Sequence, residues 1–302
     1  MWPHVHPGQW LKRGGILVFA SWLFLLHQPI SFLKAEPGFF GQGEKSLVRA
    51  ELIPEFLWVE PGKTFSLWLK ISIELGWHIY WKNPGEAGLP TTISWELPPG
   101  INLVAVSWPW PARFVDSLAI CYGYSQQVLV LAQFDFSSQA APPSPFRVRA
   151  EISYLVCREG CLPGTCSSQV SLEVKKAPPP ENEKYQSLFL AGRQKLAATI
   201  PWPAAAEADE TTIRIFFQPP PEPEFNLLGA DFFIENEGII DYSAGEKWEK
   251  EAGRFILSLK RAAASAELPP LIRGILVLKA TSNQGREKGF SLEIPLKGNK
   301  IP

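Results

Sequence analysis

The stretch Phe146-Arg-Val-Arg-Ala-Glu-Ile-Ser-Tyr-Leu-Val-Cys157-Arg-Glu-Gly-Cys161-Leu-Pro163 joins an alternating segment to two closely spaced cysteines. Hydrophobic side chains occupy every second position from Phe146 to Tyr154, with charged or polar residues between them. This alternation predicts a half-buried β-strand that runs into a Gly/Pro loop. The sequence therefore places Cys157 at the end of a strand and Cys161 in the loop that follows.

Cysteines this close in sequence can form a small-loop disulfide. Such a bridge gains little from loop-closure entropy and can be strained, and strained or exposed disulfides are the ones that exchange readily. A static surface disulfide is the alternative, and spacing alone does not separate the two. Exchange needs one accessible thiolate and a second cysteine that resolves the mixed disulfide. We expect Cys161 to be the outward nucleophile and Cys157, which leaves a hydrophobic strand, to be the more buried resolving cysteine.

The N-terminus indicates the compartment. Lys12-Arg13 precede an apolar run from Gly14 to Leu26, which is shorter than the roughly 20 residues that a membrane-spanning helix needs. A basic region followed by such a run is typical of a secretory signal, so we predict that residues 1–35 are a signal peptide. An uncleaved N-terminal membrane anchor is the alternative. Both interpretations place the remaining chain in the periplasm or elsewhere outside the cytoplasm, where disulfides persist.

Composition excludes one class of partner. The 302 residues carry 29 Lys and Arg against 30 Asp and Glu, a formal net charge of −1. Because there is also no basic tract, a nucleic-acid partner has no electrostatic support. The 4 cysteines are too few for a scaffold built on disulfides in a chain this long.

The chain divides into two strand-rich blocks. Residues 46–176, the first block, contain short alternating runs whose spacing suits an antiparallel sandwich of the immunoglobulin type. Residues 177–210 begin with Ala177-Pro-Pro-Pro180 and then show helical spacing, which predicts a Pro-rich and helical linker. Residues 211–302, the second block, contain neither cysteine nor histidine. The predicted fold is all-β, with two immunoglobulin-like β-sandwiches joined by a short helical linker, and any thiol chemistry belongs to the first block.

Further residues of the first block are candidates for the site. Cys121 and Cys166 could form a second disulfide, stay as thiols or exchange with the close pair; we favour a bridge between them. His78, Tyr122 and Tyr124 could shield the disulfide, or they could simply fill the core, as aromatic residues commonly do. His78 could also transfer protons, since histidine titrates near neutrality, although most strand histidines are only hydrogen-bonded.

Five motifs resemble one known family. They are Trp77-His-Ile-Tyr-Trp-Lys-Asn-Pro-Gly-Glu-Ala-Gly-Leu-Pro90, Trp95-Glu-Leu-Pro-Pro-Gly100, Trp108-Pro-Trp-Pro-Ala-Arg-Phe114, Tyr122-Gly-Tyr124 and Tyr154 to Pro163. In this order they resemble the periplasmic N-terminal region of DsbD-like thiol:disulfide interchange proteins, especially the subgroup related to ScsB. The second block is similar as well, notably Ile272-Arg-Gly-Ile-Leu-Val-Leu278. Within the first of these motifs, residues 83–88 could be a flexible cap over the site or only a turn.

This resemblance implies an immunoglobulin-like redox domain. It would relay electrons from a membrane-embedded thiol donor, acting in trans, to thioredoxin-like client proteins, as a thiol–disulfide oxidoreductase relay without a cofactor or metal. Cys157 and Cys161 match the two redox cysteines of the family by position. The chain differs in having three residues between them instead of five, in the added Cys121 and Cys166, and in ending before the family's membrane and thioredoxin domains.

Two other functions remain open from the residues. A Cu(I)-handling protein could use soft thiolate ligands. Its candidate ligands are Cys157, Cys161, Cys166 and His78. A plain binding sandwich could instead use Trp108 and Trp110, if both are exposed, and would not need the close cysteine pair.

Overall fold

The computed structural model describes residues 46–116, 119–137, 142–218, 227–251, 253–263, 267–280 and 287–298. The predicted signal peptide, residues 1–35, lies outside them. Within these ranges, no helix combines the length and the apolar character that crossing a membrane requires.

The described residues form eighteen strands, one α-helix and two short 3-10 helices. They are β1 (Val48–Pro54), β2 (Thr64–Ile73), β3 (His78–Gly85), β4 (Thr92–Glu96), β5 (Ile101–Ser107), β6 (Ala112–Asp116), β7 (Ala119–Ser125), β8 (Gln127–Phe136), β9 (Phe146–Cys157), β10 (Cys161–Leu172), a 3-10 helix (Glu183–Tyr185), α1 (Gln186–Gln194), β11 (Ala198–Thr199), β12 (Ala204–Ala208), β13 (Thr212–Phe217), β14 (Leu227–Ile234), a 3-10 helix (Tyr242–Ala244), β15 (Glu246–Glu251), β16 (Arg254–Lys260), β17 (Leu271–Ala280) and β18 (Glu287–Gly298).

Two antiparallel sheets make up the first block. One has the order β1-β2-β8-β5, and the other has the order β10-β9-β3-β7-β6 with β4 paired to β9. Alternating hydrophobic residues of β2 and β9 point into the space between the sheets, where Trp95 of β4 packs edge-on against Phe134 of β8 at 5.2 Å. The predicted all-β, immunoglobulin-like sandwich is confirmed.

The predicted helical linker is also present. Helix α1 lies on the outer face of the first sheet, where the ring of Phe189 stacks on Trp68 at 5.9 Å. A side chain at Gly192 would approach Trp68 to 2.5 Å, so the helix comes close to the indole. Because the helix covers Trp68, this sheet is covered on both faces at that position.

Truncation of Phe189 tests this arrangement. We expect Phe189→Ala to lower the free energy of unfolding by about 3 kcal/mol, because it leaves a cavity over a buried indole. Denaturant unfolding of the full chain measures the change. Leu190→Ala is the matched control on the same helix, since Leu190 is exposed and its loss should cost less than about 0.5 kcal/mol. Equal losses from both variants would contradict the packing.

The second block is the second predicted sandwich. Its strands follow the order β14-β17-β18-β12-β13-β16-β15, with β11 paired to β18. The long strand β18 pairs antiparallel with β17 up to Pro295 and then parallel with β12 from Leu296. This one strand therefore joins the β14-β17 side of the eight-stranded sheet to the β12-β13-β16-β15 side. The first and second blocks lie in a single compact unit, Lys45–Pro302, while the domain boundaries at 176 and 211 stay predictions.

Candidate functional site

The cysteine pair closes the tip of the β9–β10 hairpin. Cys157 is the last residue of β9 and Cys161 the first of β10, and the two are direct partners in the register. The turn between them is tight, with the backbone N–H of Arg158 donating to the carbonyl of Gly160 at 3.2 Å. A disulfide joins the two sulfurs, 2.06 Å apart.

The two cysteines differ sharply in access. Strand β9 lies between β10 and β3, and Cys157 is 0% exposed. Cys161 begins β10, the outer strand of the sheet, and is exposed. An incoming thiolate can therefore reach Cys161, whereas Cys157 is reached only through its partner. This arrangement supports the proposed assignment of Cys161 as nucleophile and Cys157 as resolving cysteine.

Tyr80 contacts both sulfurs from the neighbouring strand β3. Its hydroxyl donates to the sulfur of Cys157 at 3.2 Å and lies 3.8 Å from that of Cys161. The ring is only 2% exposed. A phenolic O–H so placed can stabilise negative charge on the inner sulfur, because hydrogen bonds to ionised groups are the strong ones.

His78 and Phe114 pack beside Tyr80, and these three side chains are called the wall of the disulfide below. His78 is the register partner of Cys157 on β3, and its ring meets Tyr80 edge-on at 5.4 Å. Phe114 of β6 stacks on His78 at 4.8 Å. Sequence reasoning identified His78 but missed Tyr80 and Phe114. The available signal for Tyr80 was the strand period of two, which puts Tyr80 on the same face as His78.

Tyr122 and Tyr124 do not belong to this wall. They alternate on β7 with Cys121, so they point to the opposite face of the sheet. Tyr122 packs edge-on against Phe233 of the second block at 5.2 Å. The hydroxyl of Tyr124 donates to the carbonyl of Pro109 at 2.7 Å. Burial raises the pKa of both phenols above the ordinary value, and the shielding role considered for them is corrected to core packing.

Residues 85–88, which start at the last residue of β3 and are called the 85–88 loop below, cover Tyr80. Gly88 has a φ of +105°, and a Cβ added there would lie 2.4 Å from the Tyr80 ring. The loop is fixed to β7, because the N–H of Glu86 donates to the carbonyl of Ile120 at 2.9 Å and the carboxylate of Glu86 accepts from the N–H of Ile120 at 3.1 Å. The stretch is therefore more than a turn: it lies against the residue that holds the disulfide.

Cys121 and Cys166 do not form the second bridge favoured above; both keep their thiols. Two strands, β3 and β9, separate β7 from β10. At about 4.8 Å per strand the two cysteines lie on strands roughly 14 Å apart, which is beyond the reach of a disulfide. Cys121 is buried in a small cluster with Tyr80 and Cys157, and its thiol donates to the carbonyl of Ala87 at 3.4 Å.

The thiol of Cys166 should react slowly with alkylating reagents. Burial raises its pKa to about 11, so below that pH the thiol keeps its proton. At pH 8 we expect alkylation by iodoacetamide roughly 100-fold slower than for an ordinary exposed cysteine, since only the thiolate reacts. Peptide mapping of the labelled native protein measures this, with the urea-unfolded chain as control. Equal rates in the native and unfolded protein would contradict the burial.

The other functions considered above find less support. Cys166 lies five register positions from Cys161 along β10, about 17 Å away at 3.4 Å per residue, so the four Cu(I) candidates do not converge. Among the described residues, no group of three or more His, Cys, Asp or Glu could hold a metal. Trp110 is 7% exposed, packed against Gly289 of β18, so the expectation that it offers an exposed binding surface is wrong.

Comparisons with known proteins identify a similar family and a similar fold. Residues 45–173 match the family model described as thiol:disulfide interchange protein DsbD, N-terminal. The N-terminal periplasmic domain of ScsB from Proteus mirabilis has a TM-score of 0.56 and 13% identity, covering 82% of this chain and 92% of that chain. The reduced N-terminal domain of DsbD from Neisseria meningitidis has 14% identity and a TM-score of 0.23, covering 43% and 90%. No curated protein matches the chain.

The similarity to ScsB extends over both blocks and shows a shared fold. The family match covers the first block, which holds the hairpin disulfide. Residues 45–173 are therefore a DsbD-like N-terminal domain, similar to that of thiol:disulfide interchange proteins.

Proposed function

We propose that the protein is an extracytoplasmic thiol–disulfide exchange module, which takes electrons from a membrane-embedded thiol donor and passes them to thioredoxin-like client proteins. One observation carries the proposal: an exposed Cys161 is bridged to a fully buried Cys157 in a DsbD-like domain. The pair is thus accessible at one sulfur and protected at the other, as an exchange reaction requires.

The transfer to a client has two steps. In the reduced protein, the Cys161 thiolate attacks one sulfur of a client disulfide; a mixed disulfide forms, and the other client sulfur leaves as a thiolate. The Cys157 thiolate then attacks the sulfur of Cys161, which releases the client with both cysteines reduced. Two electrons leave the pair and the Cys157–Cys161 disulfide is restored. The donor's dithiol then reduces the Cys157–Cys161 disulfide by the same steps in reverse.

Tyr80 would act when Cys157 carries charge. A buried thiolate is costly because burial disfavours the charged form. The Tyr80 hydroxyl, 3.2 Å from the sulfur in the oxidised protein, would offset part of that cost by donating a hydrogen bond. When the donor reduces the disulfide, Cys157 is the leaving group, and a stabilised leaving thiolate departs faster.

Location follows from the same chemistry. Residues 1–35 would direct the chain out of the cytoplasm, either as a cleaved signal or as a retained anchor. A Cys157–Cys161 disulfide at a hairpin tip would persist there, where the surroundings are oxidising, until a donor reduces it.

Exchange with a thioredoxin-fold protein tests the proposal. We expect the reduced protein to reduce an oxidised thioredoxin-like protein stoichiometrically, as read by alkylation and mass analysis of the client. The Cys157→Ser/Cys161→Ser protein should transfer nothing, whereas the matched Cys121→Ser/Cys166→Ser protein should keep the activity. Transfer by the first double variant, or none by the unaltered protein, would refute the function.

A further inference from the structure

On two strands, β3 and β6, a residue that packs beside the disulfide is directly followed or preceded by a residue that faces the second block. On β3, Tyr80 is followed by Trp81; on β6, Phe114 is preceded by Arg113. Because successive residues of a strand point to opposite faces, Tyr80 and Phe114 face the sulfurs while Trp81 and Arg113 face away from them. The second block therefore lies behind the wall of the redox site.

The contacts on this rear face are specific. The Trp81 ring meets Phe233 of β14 edge-on at 6.5 Å. Arg113 forms an ion pair with Glu246 of β15, and its guanidinium lies over the Phe233 ring at 5.9 Å. The Glu246 side chain is only 11% exposed, so this ion pair is part of the packed contact between the blocks.

Asn83 makes the largest number of hydrogen bonds among these residues. It is a polar side chain with 0% exposure, and both ends of its amide are used. Its Nδ2 donates to the carbonyl of Ile234 at 2.8 Å and to the hydroxyl of Tyr242 at 3.0 Å, both in the second block. Its Oδ1 accepts from the backbone N–H of Gly85 at 2.9 Å. One side chain thus connects the second block to the first residue of the 85–88 loop.

The 85–88 loop carries this connection to the sulfurs. Gly88 lies against the Tyr80 ring, and Tyr80 donates to Cys157. The chain of contacts runs from Tyr242 through Asn83, the loop and Tyr80 to the inner sulfur. Each step is a hydrogen bond, a covalent neighbour or a direct packing contact, and Asn83, Tyr80 and Cys157 along it are buried.

We infer that the cysteine-free second block tunes the redox pair, with Asn83 as a positioning residue that holds the 85–88 loop and, through it, the Tyr80 hydroxyl against Cys157. The inference rests on the proposed function for its biological meaning, since it assigns the second block a role in the same exchange reaction. Tyr80 touches the reacting sulfur; Asn83 acts only through it.

The equilibrium between the full-length protein and glutathione tests this inference. Because Tyr80 favours a charged Cys157, loosening it should make the disulfide harder to reduce. We expect Asn83→Ala and Tyr242→Phe each to lower the equilibrium constant for reduction by about threefold to tenfold, as the loss of one hydrogen bond implies; tenfold corresponds to about 30 mV. Arg273→Ala, which removes an ion pair with Glu293 between β17 and β18, is the control within the second block and should change nothing.

A double-mutant cycle separates positioning from general destabilisation. If Asn83 acts through Tyr80, adding Asn83→Ala to Tyr80→Phe should produce little further change in the equilibrium constant. Additive effects, or an unchanged constant in both Asn83→Ala and Tyr242→Phe, would overturn the inference. Tyr242→Phe decides alone if Asn83→Ala does not fold, because it removes a single hydroxyl. Glutathione probes the pair directly, so failure of exchange with a thioredoxin-like client would refute the proposed function while this test remains readable.

Discussion

Cys157→Ser should accumulate a covalent complex with an oxidised thioredoxin-like client, and Cys161→Ser should not. The exposed Cys161 can still attack the client disulfide when Cys157 is absent, but no resolving thiol then releases the product. In Cys161→Ser the remaining cysteine of the pair, Cys157, is fully buried, so we expect at least a tenfold lower yield of complex, because attack requires an accessible thiolate. Non-reducing gels of each reduced variant with the client measure the yield.

Both trapping variants should carry the Cys121→Ser and Cys166→Ser changes as well, so that complex can form only through the pair. Reductant must dissolve the complex, and peptide mapping must place the link at Cys161. A complex that forms mainly in Cys161→Ser would reverse the two roles. No complex in either variant would remove the basis for exchange through a mixed disulfide.

Tyr80→Phe should slow reduction of the protein's disulfide roughly tenfold or more. The substitution keeps the buried ring and removes only the hydroxyl that lies 3.2 Å from the Cys157 sulfur. A hydrogen bond to a charged group contributes about 1.5–3 kcal/mol, and every 1.4 kcal/mol in a barrier is about tenfold in rate. Stopped-flow reduction by a small dithiol, followed by thiol titration, measures the rate.

Tyr154→Phe is the matched control for this prediction. Tyr154 lies on the same hairpin, with its ring against Gly164 rather than against the sulfurs, and its loss of a hydroxyl should leave the rate within about twofold of the unaltered protein. Equal slowing in both variants would show that the hydroxyl of Tyr80 has no special role. An unchanged rate in Tyr80→Phe would show that the Tyr80 hydroxyl does not stabilise the leaving thiolate.

The sequence predicted those parts of the site that depend on local pattern. Alternation from Phe146 to Tyr154 predicted strand β9, and the Gly/Pro loop predicted its end, so Cys157 could be placed at a strand end without a tertiary structure. Cys161, predicted to lie in the loop, is instead the first residue of β10. Helical spacing after the Pro-rich break predicted α1. These features are local because the periods of strand and helix repeat within a few residues.

The rest of the site is formed by residues far apart in the chain. The disulfide comes from β9 and β10, Tyr80 from β3 and Phe114 from β6, and only the strand order places them on one surface. The same order separates Cys121 from Cys166 by two intervening strands, which no spacing in the sequence reveals. Burial of Trp110 likewise depends on Gly289, a residue in the other block.

By itself, then, the sequence determined the all-β character of the chain, the two blocks with a helical linker and the close cysteine pair. Each of these features depends on short-range periodicity and composition. Only the tertiary structure decided which cysteine is exposed, which tyrosine donates to the sulfur and which residues the second block contacts. Those outcomes depend on strand order and on which face of each strand meets its neighbour, and these are set by packing between segments that are distant in sequence.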